Sequence, residues 1–463
     1  MRTKTNGLKF VYLCVNHNTN YMRMKTLLFI TLLFFSFLLN AQDEAKCKSI
    51  NKNTIRQFQN NHSDSVYSYF NDDMRSKLSL ADLAKIWSQL ESAMGKFRGV
   101  GVSKGMQFDD YYQLETQLQF EKKSLRYRLA FDKDNRISGM YFVPYKTRRS
   151  PQLEMANTEK YQEMPIKIHT SDLDLPATLC VPKGVVKFPI VVFVHGSGAN
   201  DRDETIGPNK PFRDLAHGLA ELGIASIRYD KRSLVSPRTL MDVGNRSLLD
   251  AVVTDDALAA VKMAKEVAGV DTGKIFVLGH SLGAMMAPRI AQNNPDIKGI
   301  IMMAGNARPL EDLVYEQYKY IFNQDGLTAT EKAQLKDIKK KVKNVKHLEK
   351  YTAAGERVKL PLTSDVRFWQ AANNYDQVKT AQSIPQPILV MQGLRDYQVT
   401  PREFKIWQHK LHKKNNVSFK SYAKLNHLFL EGEGKSVPKE YETQGNVPQY
   451  VISDIAQWIK TVQ

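Results

Sequence analysis

The chain has 463 residues, 42% hydrophobic and 25% charged, with three cysteines and a formal net charge of +18. That length predicts two domains, and that composition excludes a largely disordered chain and a small disulfide-framed scaffold. The positive charge comes without zinc-finger spacing or an aromatic–basic RNA-binding signature, so it gives no reason to expect a nucleic-acid partner.

The first feature along the chain is a secretory leader. A short basic start at Met24-Lys25 precedes an apolar run that ends at the small residue Ala41. Residues 1–41 are expected to be a signal peptide, with Met22 or Met24 as alternative starts. The run is short for a spanning helix, so no stable membrane anchor is expected after its removal. The mature protein is expected to be secreted or periplasmic. Arg2, Lys4, Lys9, Arg23 and Lys25 leave with the leader, which carries no acids, and take the charge from +18 to +13. Cys47 and Cys180 remain, one near a loose terminus and one in a strand, so no structural disulfide is expected.

Residues 48–145 form a first region. Helical patterning runs through 63–78 and again through 80–94, where Leu83, Ile86, Trp87 and Leu90 share a face and Gly95 supplies a stop. Strand-like alternation follows at 111–120, 125–131 and 137–144, split by polar turns. Helices followed by an antiparallel meander predict a small α+β domain. This pattern resembles the nuclear-transport-factor-2-like domains that precede some secreted bacterial hydrolases. Its expected role is binding or spacing. Residues 146–159 are polar and irregular, as a linker is.

From residue 160 strands alternate with helices, which predicts an α/β domain over 160–463 with a mostly parallel sheet. An opening hairpin at 166–169 and 177–181 precedes strands at 189–194, 224–229, 274–278, 299–304, 387–392 and 417–421. Helices are expected at 212–222, 248–268, after the strand at 274–278 through 290, at 404–412 and at 451–462. About 306–383 is helical and charged and too long for an ordinary connection. It is expected to be a cap over an active site, with the lysine-rich run 336–350 on its solvated face.

The sharpest motif is Gly279-His280-Ser281-Leu282-Gly283, between an expected strand and an expected helix. A nucleophilic serine needs that tight strand-to-helix turn to project its hydroxyl, and flanking glycines where side chains would collide with backbone. Its partners should follow in the order acid, then histidine. Asp396 lies on the loop after the strand at 387–392, and His427 on the loop after 417–421. Both are expected at the carboxyl ends of strands, where ligand chemistry sits in such sheets. The oxyanion donors should be the N–H of Leu282 and one N–H from His195-Gly196-Ser197-Gly198, with Ser197 preferred and Gly196 next. His195 is expected to be a hydrogen-bonded structural residue, and His280 a packing residue of the elbow. His409 and His412 are expected at the surface, with Asp365 and Asp376 inside the insertion.

The run from His195 through Asp201-Arg202-Asp203-Glu204 to Asp214, with Arg228-Tyr229-Asp230-Lys231-Arg232 after the next strand, resembles bacterial carboxylesterases of the EstD-like α/β-hydrolase group. With the elbow, Asp396 and His427, the resemblance spans 160–463. It implies an α/β-hydrolase fold and a carboxylic-ester hydrolase for short acyl chains, with no cofactor; the chain shows no metal-ligand spacing, so no metal is expected. Asp201–Glu204 reads either as a salt-bridged surface turn or as part of the pocket, and Asp230-Lys231-Arg232 is expected to pair with it. The expected function is a secreted serine carboxylesterase acting on a small-molecule or glycan acyl ester. The alternatives are a serine peptidase or amidase of the same fold, a glycan deacetylase, or a binding protein on a hydrolase scaffold. Oligomeric state is not legible.

Overall fold

The computed structural model describes residues 44–107, 111–144, 155–240, 243–244, 246–324, 326–353, 358–363 and 365–462. The signal peptide expected at 1–41 and most of the linker expected at 146–159 lie outside them. The chain divides into two compact units at 153/154.

In the first unit, helices Glu44–Gln59, Ser63–Ser68, Asp72–Lys77 and Leu80–Met94 precede four strands: β1 (Phe97–Gln107), β2 (Tyr112–Phe120), β3 (Ser124–Phe131) and β4 (Ile137–Pro144). The strands form an antiparallel sheet in the order β1-β2-β3-β4. The last helix is bounded as its sequence dictates. The Ser79 hydroxyl accepts the N–H of Asp82 at its start, and Gly95 ends it at φ +80°. The helix expected at 63–78 is instead two short ones. Phe70 makes a bridge to Ile137 between them, and Asn71 accepts from Met74 N–H to start the second. Two elements escaped the sequence reading, the helix Glu44–Gln59 and β1. The first carries Cys47 fully buried in the core rather than at a loose terminus. That core centres on Phe58, stacked on Trp87 with ring centroids 5.6 Å apart.

The second unit is a mixed, mostly parallel eight-stranded sheet. Its strands are β5 (Tyr161–His169), β6 (Asp174–Pro182), β7 (Phe188–Val194), β8 (Ala225–Tyr229), β9 (Val270–His280), β10 (Ile297–Met303), β11 (Ile388–Gly393) and β12 (Val417–Tyr422), in the order β12-β11-β10-β9-β7-β8-β6-β5. β5 and β6 form the antiparallel hairpin at one edge, β6 pairs β8 antiparallel, and the rest run parallel. β7 is apolar almost throughout because helices cover both faces of the sheet. Helices Asp255–Lys265, Leu282–Ala291, Gln377–Ser383 and Pro401–Leu411 bury their apolar sides on one face, and Pro211–Glu221 and Gln449–Thr461 on the other. The long helix expected at 248–268 is regular only over Asp255–Lys265, and a π-helical turn at Asp250–Thr254 leads into it.

Register decides where chemistry can sit. Val194 pairs with Gly279, Met303 with His280 and with Met391, and Gly393 with Tyr422. The carboxyl ends of β7, β9, β10, β11 and β12 therefore align, and the loops after them meet along one edge of the sheet.

Between β10 and β11, helices Leu310–Phe322, Ala329–Lys346, Leu348–Ala353, Val366–Asn373 and Gln377–Ser383 make the insertion. Part of it has a core of its own, Val314, Val345, Leu348, Leu360 and the fully buried Trp369. Asp365 and Asp376 cap two of these helices. Among the described residues no helix is long and apolar enough to cross a membrane.

Candidate active site

Ser281 sits between β9 and helix Leu282–Ala291 at φ +54°, ψ −114°, a strained conformation for a residue with a side chain. Its N–H donates to the Met303 carbonyl at 2.9 Å, which ties the turn to β10. The flanking glycines are required by contact. A Cβ on Gly279 would lie 2.2 Å from the Gly283 oxygen, and one on Gly283 would lie 2.1 Å from the Val194 oxygen. Leu282 N–H is at the first turn of the helix, where a backbone donor has no intrahelical acceptor.

The loops after β11 and β12 bring Asp396 and His427 together. His427 Nδ1 lies 2.7 Å from Asp396 Oδ2, with both residues buried. Asp396 is held by three further donors: the N–H groups of Gln398 and Val399 at 2.8 and 2.9 Å on Oδ1, and Gln392 Nε2 at 3.2 Å on Oδ2. Because Asp396 is acceptor-only when ionised, the imidazole proton sits on Nδ1 and Nε2 is left as a base. Asn426 shapes the histidine loop by accepting from Leu428 and Leu430 N–H. The insertion reaches the loop of Asp396. Tyr320 stacks on Tyr397 at 5.0 Å, and Gln317 donates to the Gln398 carbonyl at 2.9 Å.

The loop after β7 lies against the elbow, since a Cβ on Gly196 would be 3.1 Å from that of Ser281. Gly196 N–H is engaged, donating to Glu204 Oε1 at 2.7 Å. Of the two expected donors in this loop, only Ser197 N–H remains for a ligand. Ser197 is exposed.

Two expectations are corrected here, and one open alternative is closed. Asp201–Glu204 is not a surface turn: Arg202, Asp203 and Glu204 are all nearly fully buried. Arg202 pairs with Asp230 at 2.9 Å, and Arg228 bridges Asp203 and Glu163, so the strand and the loop are joined by buried ion pairs. His195 makes no hydrogen bond through either ring nitrogen. It packs between Phe212 and Tyr229, and burial pushes its pKa down to about 4. His280 does more than pack. Its Nε2 donates to the His427 carbonyl at 2.9 Å, and its Nδ1 lies 2.9 Å from Glu204 Oε2, in charge contact though not aligned as a hydrogen bond. Burial, the largest single influence, disfavours a charged His280, but the Glu204 carboxylate, the His427 carbonyl and the Asp396 charge together outweigh it and hold the pKa above its usual value. Glu204 thus links the loop of Gly196 to the loop of His427. Sequence reading missed this role because it depends on three loops meeting in space. The one local hint was a carboxylate eight residues after a glycine-rich turn.

A cleft of ≈ 660 Å³ opens between the insertion and helix Leu282–Ala291, lined by Met285, Ala307, Leu310, Glu311, Lys346 and Tyr375. Ser281, Asp396 and His427 do not line it, so it carries no argument about the reaction. Among the described residues no cluster of histidine, cysteine and acidic side chains could hold a metal ion. Cys47 and Cys180 are free and buried.

A family model described as serine aminopeptidase, S33, matches residues 189–434, and one described as a protein of unknown function matches 52–140. Esterase EstD of Thermotoga maritima is 32% identical over 439 residues, covering 94% of this chain and 100% of the relative. Among solved structures, a hyperthermophilic esterase of Pyrobaculum calidifontis aligns with 65% of this chain and 86% of its own, at 18% identity and a TM-score of 0.42. Est1E of Butyrivibrio proteoclasticus aligns with 64% of this chain and 99% of its own, at 15% identity and a TM-score of 0.39.

Proposed function

The chain belongs to the serine aminopeptidase S33 family and is a relative of esterase EstD over nearly its whole length; from that premise we propose that it is a secreted serine carboxylesterase with Ser281, His427 and Asp396 as catalytic triad. The observation that carries the proposal is the 2.7 Å contact of His427 Nδ1 with Asp396 Oδ2, on loops that end at the same sheet edge as the Ser281 elbow.

His427 Nε2 takes the proton of Ser281 Oγ as that oxygen attacks the ester carbonyl. The oxyanion of the tetrahedral intermediate is held by the N–H groups of Leu282 and Ser197. As the intermediate collapses, the C–O bond to the alcohol breaks and His427 returns its proton to the leaving oxygen. Water then attacks the acyl-Ser281, His427 takes a proton from it, and the acid leaves with Ser281 restored. Asp396 fixes the imidazole tautomer and stabilises its charged form. The sequence as written requires no cofactor. The substrate is a small acyl ester, free or on a glycan, with a short acyl chain. The family description supports a second reading, hydrolysis of an amide by the same groups.

Both readings are tested by turnover of a p-nitrophenyl acyl series, acetate to palmitate, beside a p-nitroanilide series. Activity concentrated at acetate and butyrate and absent in Ser281→Ala is expected. Turnover confined to anilides would replace the esterase reading with the peptidase one.

A further inference from the structure

Lys231 is buried, and its Nζ donates to the carbonyl oxygen of Gly196 at 2.6 Å. Its ammonium is bonded to a carbonyl rather than to a carboxylate. A buried charge without a paired counter-charge is strongly unfavourable, so its position calls for a reason. The same carbonyl accepts from Asn200 Nδ2 at 3.2 Å, and the Asn200 carbonyl in turn accepts from Lys231 N–H at 3.0 Å. On its other side Gly196 donates its N–H to Glu204 at 2.7 Å. Both polar groups of this glycine are therefore held by charged side chains, beside Ser281.

The consequence lies one atom further on. The Gly196 carbonyl and the Ser197 N–H belong to one peptide unit, and the described residues contain no cis peptide. In a trans peptide the C=O and N–H point in opposite directions. A carbonyl drawn inward by Lys231 turns the Ser197 N–H outward, to the exposed side of the loop. A cation on the carbonyl also polarises the peptide and makes that N–H a stronger donor. We propose that Lys231 is a positioning residue of the oxyanion hole, orienting and polarising the Ser197 N–H through the peptide it shares with Gly196. The proposal rests on the triad reading above.

Charge on Lys231 is then part of the device. The charged and titratable groups facing it are Glu204 on the same loop as Gly196, Asp256 on helix Asp255–Lys265, and His195 at the end of β7. Burial pushes Lys231 down to about 8 against the pull of the two carboxylates, and His195 is neutral over that range. The positive charge is present below about 8 and lost as pH rises through it.

The test compares wild type, Lys231→Met and Lys231→Arg on p-nitrophenyl butyrate, with phenylboronic acid as a mimic of the tetrahedral adduct. Lys231→Met is expected to lower kcat about tenfold and to weaken boronate binding by the same factor, less than the loss of a direct oxyanion donor. KM should be unchanged, and Lys231→Arg, which keeps the charge, should keep more of kcat than Lys231→Met. Wild-type kcat should fall as pH rises through about 8. A purely structural lysine would shift none of these readouts selectively. Unchanged kcat and boronate affinity in Lys231→Met would overturn the proposal. Should that variant not fold, a wild-type kcat that stays flat from about pH 7 to about pH 9.5 would overturn it. Ester turnover surviving in Ser281→Ala would instead overturn the triad reading, which separates the two failures.

Discussion

Asp396 accepts from four donors, two of them backbone N–H groups of its own loop. Asp396→Asn keeps the size of the group, so the loop should hold its place while the imidazole loses its orienting acceptor. We expect kcat to fall by roughly four orders of magnitude with little change in KM, read from initial rates on p-nitrophenyl butyrate. Gly283 behaves differently, because its Cβ would meet the Val194 oxygen at 2.1 Å, and backbone cannot step aside as a side chain can. Gly283→Ala should destabilise the second unit by about 3 kcal/mol or more, read from urea unfolding; a loss under about 0.5 kcal/mol would show that the turn can relax. At this scale the positions of Ser281, Asp396 and His427 were legible because each lies just past the carboxyl end of a strand, one, three and five residues beyond β9, β11 and β12. Glu204 and Lys231 were legible only as charges. What they do depends on the Gly196 peptide that lies between them.

Elements whose boundaries are set by local chemistry came out of the sequence cleanly. Ser79 and Gly95 bracket helix Leu80–Met94, and the apolar runs of β7 and β10 could only be covered strands. The failures have local causes too. Gly99, Gly101 and Gly105 interrupt the alternation of β1, and the close approach of Gln117 and Tyr112 side chains explains why two of those glycines are there. The helix Glu44–Gln59 is polar overall, and tertiary burial of Cys47, Ile55 and Phe58 stabilises it more than propensity does. Asn71 breaks the 63–78 helix because its side chain caps a new start. The insertion has a small core centred on Trp369, whose indole N–H donates to the Pro361 carbonyl at 3.1 Å. Trp369→Ala should cost about 3–5 kcal/mol locally. Hydrogen exchange should show lost protection over helices Leu310–Phe322 and Ala329–Lys346, with β9 and β10 unchanged. Equal loss in the sheet would mean that the insertion and the sheet unfold as one.

For the molecule as a whole, buried titratable groups around the site set its response to acid. His195 is held neutral by burial at about 4, below its usual 6.5. Its contribution is complete above about 6.5 and is lost as pH falls toward about 4, because the unfolded chain binds the proton more readily. Burial alone would raise Glu163, but its bond to His217 and the charge of Arg228 outweigh burial and hold it at about 2, below its usual 4.5. Its contribution is present above about 4.5 and is lost as pH falls toward about 2. Unfolding free energy, measured by denaturant titration, should therefore decline in two windows. His195→Phe should flatten the upper window and Glu163→Gln the lower, and a variant that leaves its window unchanged would remove that group from the account. The central claim is that Ser281 is the nucleophile of an ester hydrolase. It is tested most directly by treating the folded protein with a p-nitrophenyl phosphonate ester and mapping the adduct by mass spectrometry. A single adduct on Ser281, formed as ester turnover disappears, is the expected result. An adduct on another residue, or none on a folded protein that still hydrolyses esters, would contradict it.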